Sequence, residues 1–229
     1  MSEPARLVLL DVDGTLVDTN HLHVLAWQRA FRGIGLTVPA WLIHRQVGKG
    51  GDKLVEAVAG ERVERERGDD VRSLHGDEFG ALIDEAPPLP GARELLLALR
   101  ERGVTTVLAS SGRAEEVEHY LDLLDARDLL DGVTTSADVD ASKPEPDLIA
   151  VALERGGGAR PALLVGDTVW DGEAAARADV GFVALRSGGI AEEELRAAGA
   201  AALCDDAAEL AERLDEALAV DLSTKPHHS

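Results

Sequence analysis

The sequence predicts an α/β fold in which a parallel sheet is interrupted, after its first strand, by an all-helical insertion. From residue 92 onward, predicted helices and strands alternate, which is typical of βαβ units and a parallel sheet. No strand pattern occurs between about residues 18 and 86. The segment Pro87-Pro88-Leu89-Pro90-Gly91 separates the two regions, because proline and glycine interrupt regular structure.

The first elements are one strand and the helices of the insertion. The apolar run Arg6–Leu10 predicts a short buried strand, which must join the later strands in one sheet. Apolar residues at helical spacing then predict a helix over Thr19–Gly35. The insertion continues with predicted helices at Pro39–Val47, Asp52–Ala59 and Asp70–Ile83.

The remaining elements follow residue 91. Gly103 ends the first helix of this region, since glycine commonly follows the last turn of a helix. We predict strands at Val104–Ala109, Gly132–Ser136, Ala162–Val165, Val180–Leu185 and Ala201–Cys204, and helices at Ala92–Arg102, Arg113–Leu124, Glu145–Arg155, Gly172–Ala178, Ile190–Ala198 and Asp206–Ala219.

The composition limits the classes of partner. Of the 229 residues, 45% are hydrophobic, so the chain can form a substantial core. The formal net charge of −20 argues against nucleic acid and anionic membranes as partners, since both attract positive charge. The single cysteine, Cys204, excludes an intramolecular disulfide. The N-terminal residues lack a signal-peptide pattern and no apolar run could span a membrane, so we expect a cytoplasmic protein.

The most informative motif is Asp11-Val12-Asp13-Gly14, directly after the first predicted strand. Open α/β sheets place their chemistry beyond the carboxyl ends of their strands. Asp11 and Asp13 are two residues apart in an extended chain and therefore point the same way, and Gly14 permits a sharp turn. Two close carboxylates repel each other unless a proton or a cation lies between them. Taken alone, the motif fits a solvated Asp-Gly turn equally well.

Three further polar segments follow later elements of the predicted core. Each has a plain structural explanation: serines can cap a helix, a lysine can lie on the surface before a proline-initiated helix, and acids can form a turn and an N-cap. Together with the first motif and in this order, they are much harder to explain in that way. The segments are Ser110-Ser111-Gly112, Ser142-Lys143-Pro144 and Gly166-Asp167-Thr168-Val169-Trp170-Asp171.

With these four motifs the chain resembles the haloacid dehalogenase superfamily, and within it the phosphoglycolate phosphatases and β-phosphoglucomutases that carry a helical cap. The resemblance extends over residues 6–218. It implies a Rossmann-like catalytic core of residues 1–17 and 88–229 and a helical cap domain of residues 18–87. It also implies a mechanism that passes through an aspartyl-phosphate and uses Mg²⁺.

The resemblance gives the acidic motif residues and the lysine their roles. Asp11 would be the nucleophile that attacks phosphorus, and Asp13 the general acid and base. Lys143 would neutralise charge on Asp11 and on the transferring phosphoryl group. Mg²⁺ would be held by Asp11, Asp167 and the backbone carbonyl of Asp13. Asp171 would be a further metal ligand or a partner behind the ligands.

The substrate-binding residues are expected on both sides of the site. Ser110 would donate its hydroxyl to a phosphoryl oxygen, beside the backbone of Ser111 and Gly112. In the insertion, the glycine-containing stretch 44–53 resembles the cap loop that faces the active site in related phosphatases. We expect Arg45 and Lys49 of this stretch to contact the far end of the substrate. Solvated side chains at a helix corner are the alternative for both.

The aromatic and histidine residues near these motifs are interpreted as structural. Trp27 and Trp41 are expected in the core of the cap. His23 and His44 stand alone in the sequence, so a surface or packed position is favoured over a catalytic one. Trp170, between two acids, is expected at the rim of the site.

The favoured function is a Mg²⁺-dependent phosphatase, monomeric or homodimeric, that acts on a small phosphorylated metabolite resembling phosphoglycolate or a sugar phosphate. A sugar phosphomutase uses the same residues and needs a second phosphate site, for which Arg45 and Lys49 are the candidates. A haloacid dehalogenase needs neither Mg²⁺ nor a second acid, so Asp13 argues against it. A non-catalytic relative is disfavoured because the motif residues are all present.

Overall fold

A parallel sheet lies at the centre of the part of the chain that the computed structural model describes, residues 5–139 and 142–219. Its six strands are β1 (Leu7–Leu10), β2 (Thr105–Ala109), β3 (Gly132–Thr134), β4 (Ala162–Gly166), β5 (Gly181–Leu185) and β6 (Ala200–Cys204). Their spatial order is β3-β2-β1-β4-β5-β6. This confirms the predicted α/β class, and every strand begins and ends within two residues of its predicted bounds.

Four α-helices lie in the insertion that follows β1. They are α1 (Asn20–Gly33), α2 (Ala40–His44), α3 (Gly51–Ala59) and α4 (Glu61–Gly80). These helices enclose an apolar cluster of their own, which includes Trp27, Phe31, Ile43, Leu54 and Val71. The all-helical insertion is therefore confirmed.

Trp41 does not belong to this cluster, contrary to expectation. Its exposed fraction is 65%, whereas that of Trp27 is 5%. The helix α2 has five residues and buries only Ile43. Because Trp41 is two positions from Ile43, it points to the opposite side of the helix, into solvent.

Helix α4 begins at Glu61, nine residues before the predicted start at Asp70. The stretch 61–70 consists almost entirely of charged residues, so it has no apolar period from which a helix could be predicted. Side-chain pairs of opposite charge on neighbouring turns support it instead, among them Arg62 with Glu66 and Arg67 with Asp70.

The side chains of β1 divide the core into two layers. Leu7 and Leu9 face one apolar layer, and Val8 and Leu10 face the other, as alternation along a strand requires. All four are buried because helices cover both faces of the sheet. The second layer contains α5 (Ala92–Glu101), α6 (Ala114–Leu123), α10 (Ala207–Glu212) and α11 (Leu214–Leu218); the first contains α7 (Asp147–Arg155), α8 (Val169–Arg177) and α9 (Glu192–Ala197).

Two helix predictions differ from the structure in this core. The single helix predicted over Asp206–Ala219 is two short helices, because the backbone of Arg213 leaves helical geometry. The helix predicted from Gly172 begins at Val169, where the Thr168 hydroxyl caps its first turn. None of the described helices combines the length and hydropathy required to cross a membrane.

The chain leaves the sheet for the helical insertion and returns from it at one place. The backbone N–H of Asp18 donates to the carbonyl of Pro87 at 3.0 Å, and that of Leu89 donates to Leu16 at 2.9 Å. The two crossings therefore run side by side. The division into a core of 1–17 and 88–229 and a cap of 18–87 stays a prediction, and its outer limits lie outside the described residues.

Candidate active site

The predicted motifs meet at the carboxyl edge of the sheet. Asp11 follows β1, Ser110 follows β2 and Asp167 follows β4. These three strands are neighbours, and the strand order reverses between β1 and β4. Open α/β sheets form their ligand crevice at such a reversal. The fold thus gathers residues that are more than 150 positions apart in the chain.

Three buried carboxylates form a cluster at this edge, which we call the carboxylate cluster: Asp11, Asp167 and Asp171. Each offers an oxygen within 4.8 Å of the others, and all are shielded from solvent. Thr15 and Asn20 donate to the two oxygens of Asp167 at 3.2 and 2.8 Å. These bonds fix the orientation of Asp167 toward the other two acids.

Lys143 lies among these acids and is itself fully buried. Its ammonium donates to Asp11 Oδ1 at 2.5 Å and forms an ion pair with Asp171 Oδ1 at 2.7 Å. Burial alone would favour the neutral amine, but the two carboxylates outweigh it and raise the pKa of Lys143. The lysine therefore remains charged and partly neutralises the carboxylate cluster.

Crowding of the three acids raises the pKa of two of them despite this lysine. Burial, and then repulsion from Asp171 and Asp13, raises the pKa of Asp11 to about 7, although Lys143 opposes this shift. Burial and the charges of Asp171 and Asp11 raise the pKa of Asp167 well above its usual range. One lysine does not balance three carboxylates, so the arrangement favours a further cation.

Glycines beside the carboxylate of Asp167 leave space for such a cation. A Cβ atom at Gly188 or at Gly14 would collide with the carboxylate of Asp167. Gly14 also has a positive φ of 77°, which L side chains rarely adopt. The buried Oδ1 of Asn20 has no hydrogen-bond partner in the protein, although it belongs to the amide that holds Asp167. These features, with an all-oxygen donor set, fit a hard divalent cation such as Mg²⁺.

Asp13 does not belong to the carboxylate cluster and has hydrogen-bond donors of its own. Its Oδ1 accepts hydrogen bonds from the hydroxyls of Thr19 at 2.7 Å and Tyr120 at 3.1 Å, and lies 3.3 Å from His23 Nε2. Burial opposes ionisation of Asp13, but these donors, His23 foremost, lower its pKa below the usual range. Asp11 and Asp13 therefore differ sharply in acidity although they are two residues apart.

His23 is not isolated, as the sequence had suggested. Its Nδ1 lies 3.2 Å from Nε2 of His75, and its ring stacks on Phe79. Thr19 and His23 are four residues apart at the start of α1, on one helix face that turns toward Asp13. That spacing was the available signal; the contribution of His75 has no counterpart in the local sequence.

A cavity of about 370 Å³ opens from this edge toward the helical insertion. Asp11, Asp13, Ser111 and Gly112 line its inner end. Ser110 is fully buried, and its Oγ accepts the backbone N–H of Gly112 at 3.0 Å. The motif that follows β2 thus presents its backbone and the side chain of Ser111 to the cavity.

The chain matches the family model described as haloacid dehalogenase-like hydrolase over residues 5–179. It belongs to this family. The α/β fold, the strand-end motifs and the helical insertion of this hydrolase agree with that assignment.

Relatives of this hydrolase include both predicted subgroups. The phosphoglycolate phosphatase of Aquifex aeolicus is 28% identical over 80% of this chain and 88% of its own. The β-phosphoglucomutase of Bacillus subtilis is 25% identical over 81% of this chain and 80% of its own. A crystal structure of a hydrolase from Pseudomonas syringae superposes with a TM-score of 0.85, at 32% identity, over 91% of this chain and 97% of that one. The predicted resemblance is confirmed.

The two cap residues predicted to contact substrate are placed differently. Lys49 lines the cavity, with its ammonium 3.8 Å from the centre of the Trp170 ring. Arg45 is not among the lining residues; its guanidinium forms two hydrogen bonds, at 2.9 and 2.6 Å, with Glu194 of α9. The structure thus brings Lys49 to the site and engages Arg45 elsewhere, and a substrate contact by Arg45 stays a prediction.

Proposed function

We propose that this hydrolase is a Mg²⁺-dependent phosphatase that hydrolyses a small phosphorylated metabolite through an aspartyl-phosphate on Asp11. The observation that carries the proposal is that two acids at one strand end have separate sets of partners. Asp11 lies beside Lys143 in the carboxylate cluster, and Asp13 lies outside it with three donors of its own. With separate partners, one acid can serve as the nucleophile and the other as the acid–base group.

The carboxylates of Asp11 and Asp167 and the backbone carbonyl of Asp13 would hold Mg²⁺. Bound there, the cation would offset the charge of the acids and of a phosphoryl group. Asp171 contributes mainly by holding Lys143, because its Oδ2 already accepts hydrogen bonds from the backbone and the hydroxyl of Thr168.

Each of the side chains Asp11, Lys143 and Asp13 has its own role in the two steps of the reaction. Asp11 attacks phosphorus while Lys143 stabilises the charge on the phosphoryl oxygens. The bond from phosphorus to the ester oxygen breaks, and Asp13 supplies the proton that the leaving alcohol requires. Asp13, ionised again, takes a proton from the water that hydrolyses the phosphate bond to Asp11. Ser111 lines the same cavity, and its backbone N–H can donate to a phosphoryl oxygen, whereas that of Gly112 is already bonded to Ser110 Oγ.

Phosphate release from a panel of esters, with and without Mg²⁺, tests this proposal. The panel contains phosphoglycolate, β-glucose 1-phosphate and p-nitrophenyl phosphate. We expect release that depends on Mg²⁺ and disappears after chelation. Equal release without the metal, or none from any ester, would contradict the proposal.

A sugar phosphomutase is the second candidate, since a β-phosphoglucomutase is among the relatives. A mutase would convert β-glucose 1-phosphate to the 6-phosphate when primed with a bisphosphate, and would release little phosphate. The same panel therefore separates the two activities. The pairing of Arg45 with Glu194, outside the cavity, supports the phosphatase over the mutase, for which Arg45 was one candidate at a second phosphate site.

A further inference from the structure

The cavity beyond the carboxylates is lined by three cationic side chains: Lys49, Arg72 and Arg113. An unpaired cation in a pocket attracts an anionic group of a ligand, whereas a cation already matched with carboxylates does so weakly. The partners of these side chains thus bear on the charge of the substrate beyond its phosphoryl group.

Arg72 of α4 is neutralised within the insertion. Its guanidinium contacts both carboxylate oxygens of Glu64, at 2.8 and 2.9 Å, and Asp69 at 2.8 Å. It also donates to the carbonyl of Gly51 at 3.3 Å. Two acids thus share one arginine at this wall of the cavity.

Arg113 is neutralised by Glu116, one turn later on α6. The Nε of Arg113 donates to Glu116 Oε1 at 2.8 Å, and its backbone N–H donates to Oε2 at 2.8 Å. The guanidinium also reaches the carbonyl of Gly76 on α4 at 3.2 Å. Glu116 is buried and is held against the half-exposed side chain of Arg113 by both of these bonds.

Lys49 is engaged without a carboxylate. Its ammonium lies over the Trp170 ring and donates to Gln46 Oε1 at 2.8 Å. Asp52, which also lines the cavity, accepts a hydrogen bond from Ser142. Among the described residues, the three cations of this wall are matched by three carboxylates, Asp52 of the lining and the partners Glu64 and Glu116, while Asp69 is fully exposed; the wall therefore carries no surplus positive charge.

We propose that the alcohol released by this hydrolase is uncharged and carries hydroxyl groups, and that Glu116 determines this specificity by holding Arg113. The inference rests on the proposed phosphatase activity. The rest of the lining suits such an alcohol: Trp27 and Leu54 offer apolar surface, and Ser136 and Ser142 offer hydroxyls. The cavity of about 370 Å³ lies near the lower end of small-molecule sites, roughly 300–1,000 Å³.

A matched pair of esters tests the charge preference. Glycerol 3-phosphate and 3-phosphoglycerate differ only in a terminal hydroxymethyl group against a carboxylate. We expect kcat/KM to be at least about tenfold higher for glycerol 3-phosphate, the size of one unfavourable charge contact in a partly solvated site. Equal values, or a preference for 3-phosphoglycerate, would overturn the inference.

The substitution Glu116→Gln tests the assigned residue. Gln keeps an acceptor for the backbone N–H of Arg113 but removes the charge that neutralises the guanidinium. The ratio of kcat/KM for 3-phosphoglycerate to that for glycerol 3-phosphate is expected to rise about threefold to tenfold. Glu118→Gln is the control: Glu118 lies on the same helix, pairs with Arg127 on the outer surface and should leave the ratio unchanged.

A second variant guards against misfolding of the first. Glu64→Gln removes one of the two acids that hold Arg72, and the ratio is expected to move in the same direction. An unchanged ratio in both variants would show that these carboxylates do not set the specificity.

Failure of the inference and failure of the proposed function give different results. Hydrolysis with a preference for anionic esters refutes only the inference. If no ester is hydrolysed, the phosphatase proposal fails. Calorimetric binding of the same two esters to Asp11→Asn then decides the charge preference, since tighter binding of 3-phosphoglycerate would refute it as well.

Discussion

His23 Nε2 lies 3.3 Å from Asp13 Oδ1, and the opposite nitrogen of the same ring lies 3.2 Å from His75. This contact joins the helical insertion to the acid at the end of β1. When Nε2–H donates to Asp13, Nδ1 becomes an acceptor, which suits donation by His75. The insertion thus helps to set the acidity of Asp13.

Replacement of His23 by Phe is expected to shift the acidic limb of the pH–rate profile. Phe keeps a ring to stack on Phe79 but cannot donate to Asp13. Since this donor lowers the pKa of Asp13, its loss raises that pKa, and ionised Asp13 becomes scarcer at acidic pH. The acidic limb of kcat should move upward by about one pH unit. His21→Phe, on the exposed side of α1, is the control; an unmoved limb in His23→Phe would refute the coupling.

The substitution Asp11→Asn is expected to abolish turnover while the protein stays folded. The amide has the shape of the carboxylate but cannot form the bond to phosphorus, so kcat should fall by at least about 10³-fold. Circular dichroism and phosphate release, measured on the same preparation, provide the test. Undiminished activity in a folded variant would rule out Asp11 as the nucleophile.

Lys143→Met should destabilise the fold strongly. The substitution leaves the buried carboxylates of Asp11 and Asp171 without their shared cation, which typically costs about 3–5 kcal/mol. Without Lys143 the pKa of Asp11, already raised by burial, rises further above its unfolded value, so stability is retained at low pH and falls as pH increases through that raised pKa. Urea unfolding at two pH values gives both quantities. Lys49→Met, which removes a cation without a carboxylate partner, should cost about 1 kcal/mol or less; equal losses would be contrary evidence.

His75 predicts a loss of stability in mild acid. Burial, and then the neighbouring His23 and Arg113, lowers its pKa well below the ordinary 6.5. The unfolded chain therefore binds a proton below about pH 6.5 that the folded chain rejects, and stability falls as pH falls through this window. Between pH 7.5 and 5.5 this single group accounts for about 1.4 kcal/mol. His75→Gln should lose that part of the pH dependence in urea unfolding. An identical dependence in both proteins would contradict the assignment.

Three of the motif residues could be predicted from the sequence because each follows a strand end, where local patterns are clearest. Asp11, Ser110 and Asp167 needed only the strand bounds and the rule that parallel strands end at one edge. The charged start of α4 could not be predicted, since its helix depends on side-chain ion pairs and on packing against α1 rather than on an apolar period.

The contacts that set the acidity of Asp13 and the lining of the cavity could not be predicted from the sequence either. Tyr120 reaches Asp13 across 107 positions, and Arg113 reaches α4 only because Gly76 leaves room for its guanidinium. Arg45 and Lys49 are four residues apart, yet one faces Glu194 and the other the cavity. Such outcomes depend on the tertiary path of the chain, which no local pattern contains.

The position of β1 in the sheet has a consequence for biosynthesis. Of the six described strands it leaves the ribosome first, yet Leu7 pairs with Thr105 on one side and with Ala162 on the other. One edge of β1 therefore stays unpaired until about a hundred further residues have been synthesised, and the other until about a hundred and fifty have been. The helices of the insertion can pack among themselves much earlier. Long-range pairing of this kind slows folding. The nascent chain thus carries an exposed, wholly apolar strand until β4 emerges, an interval in which aggregation competes with assembly of the sheet.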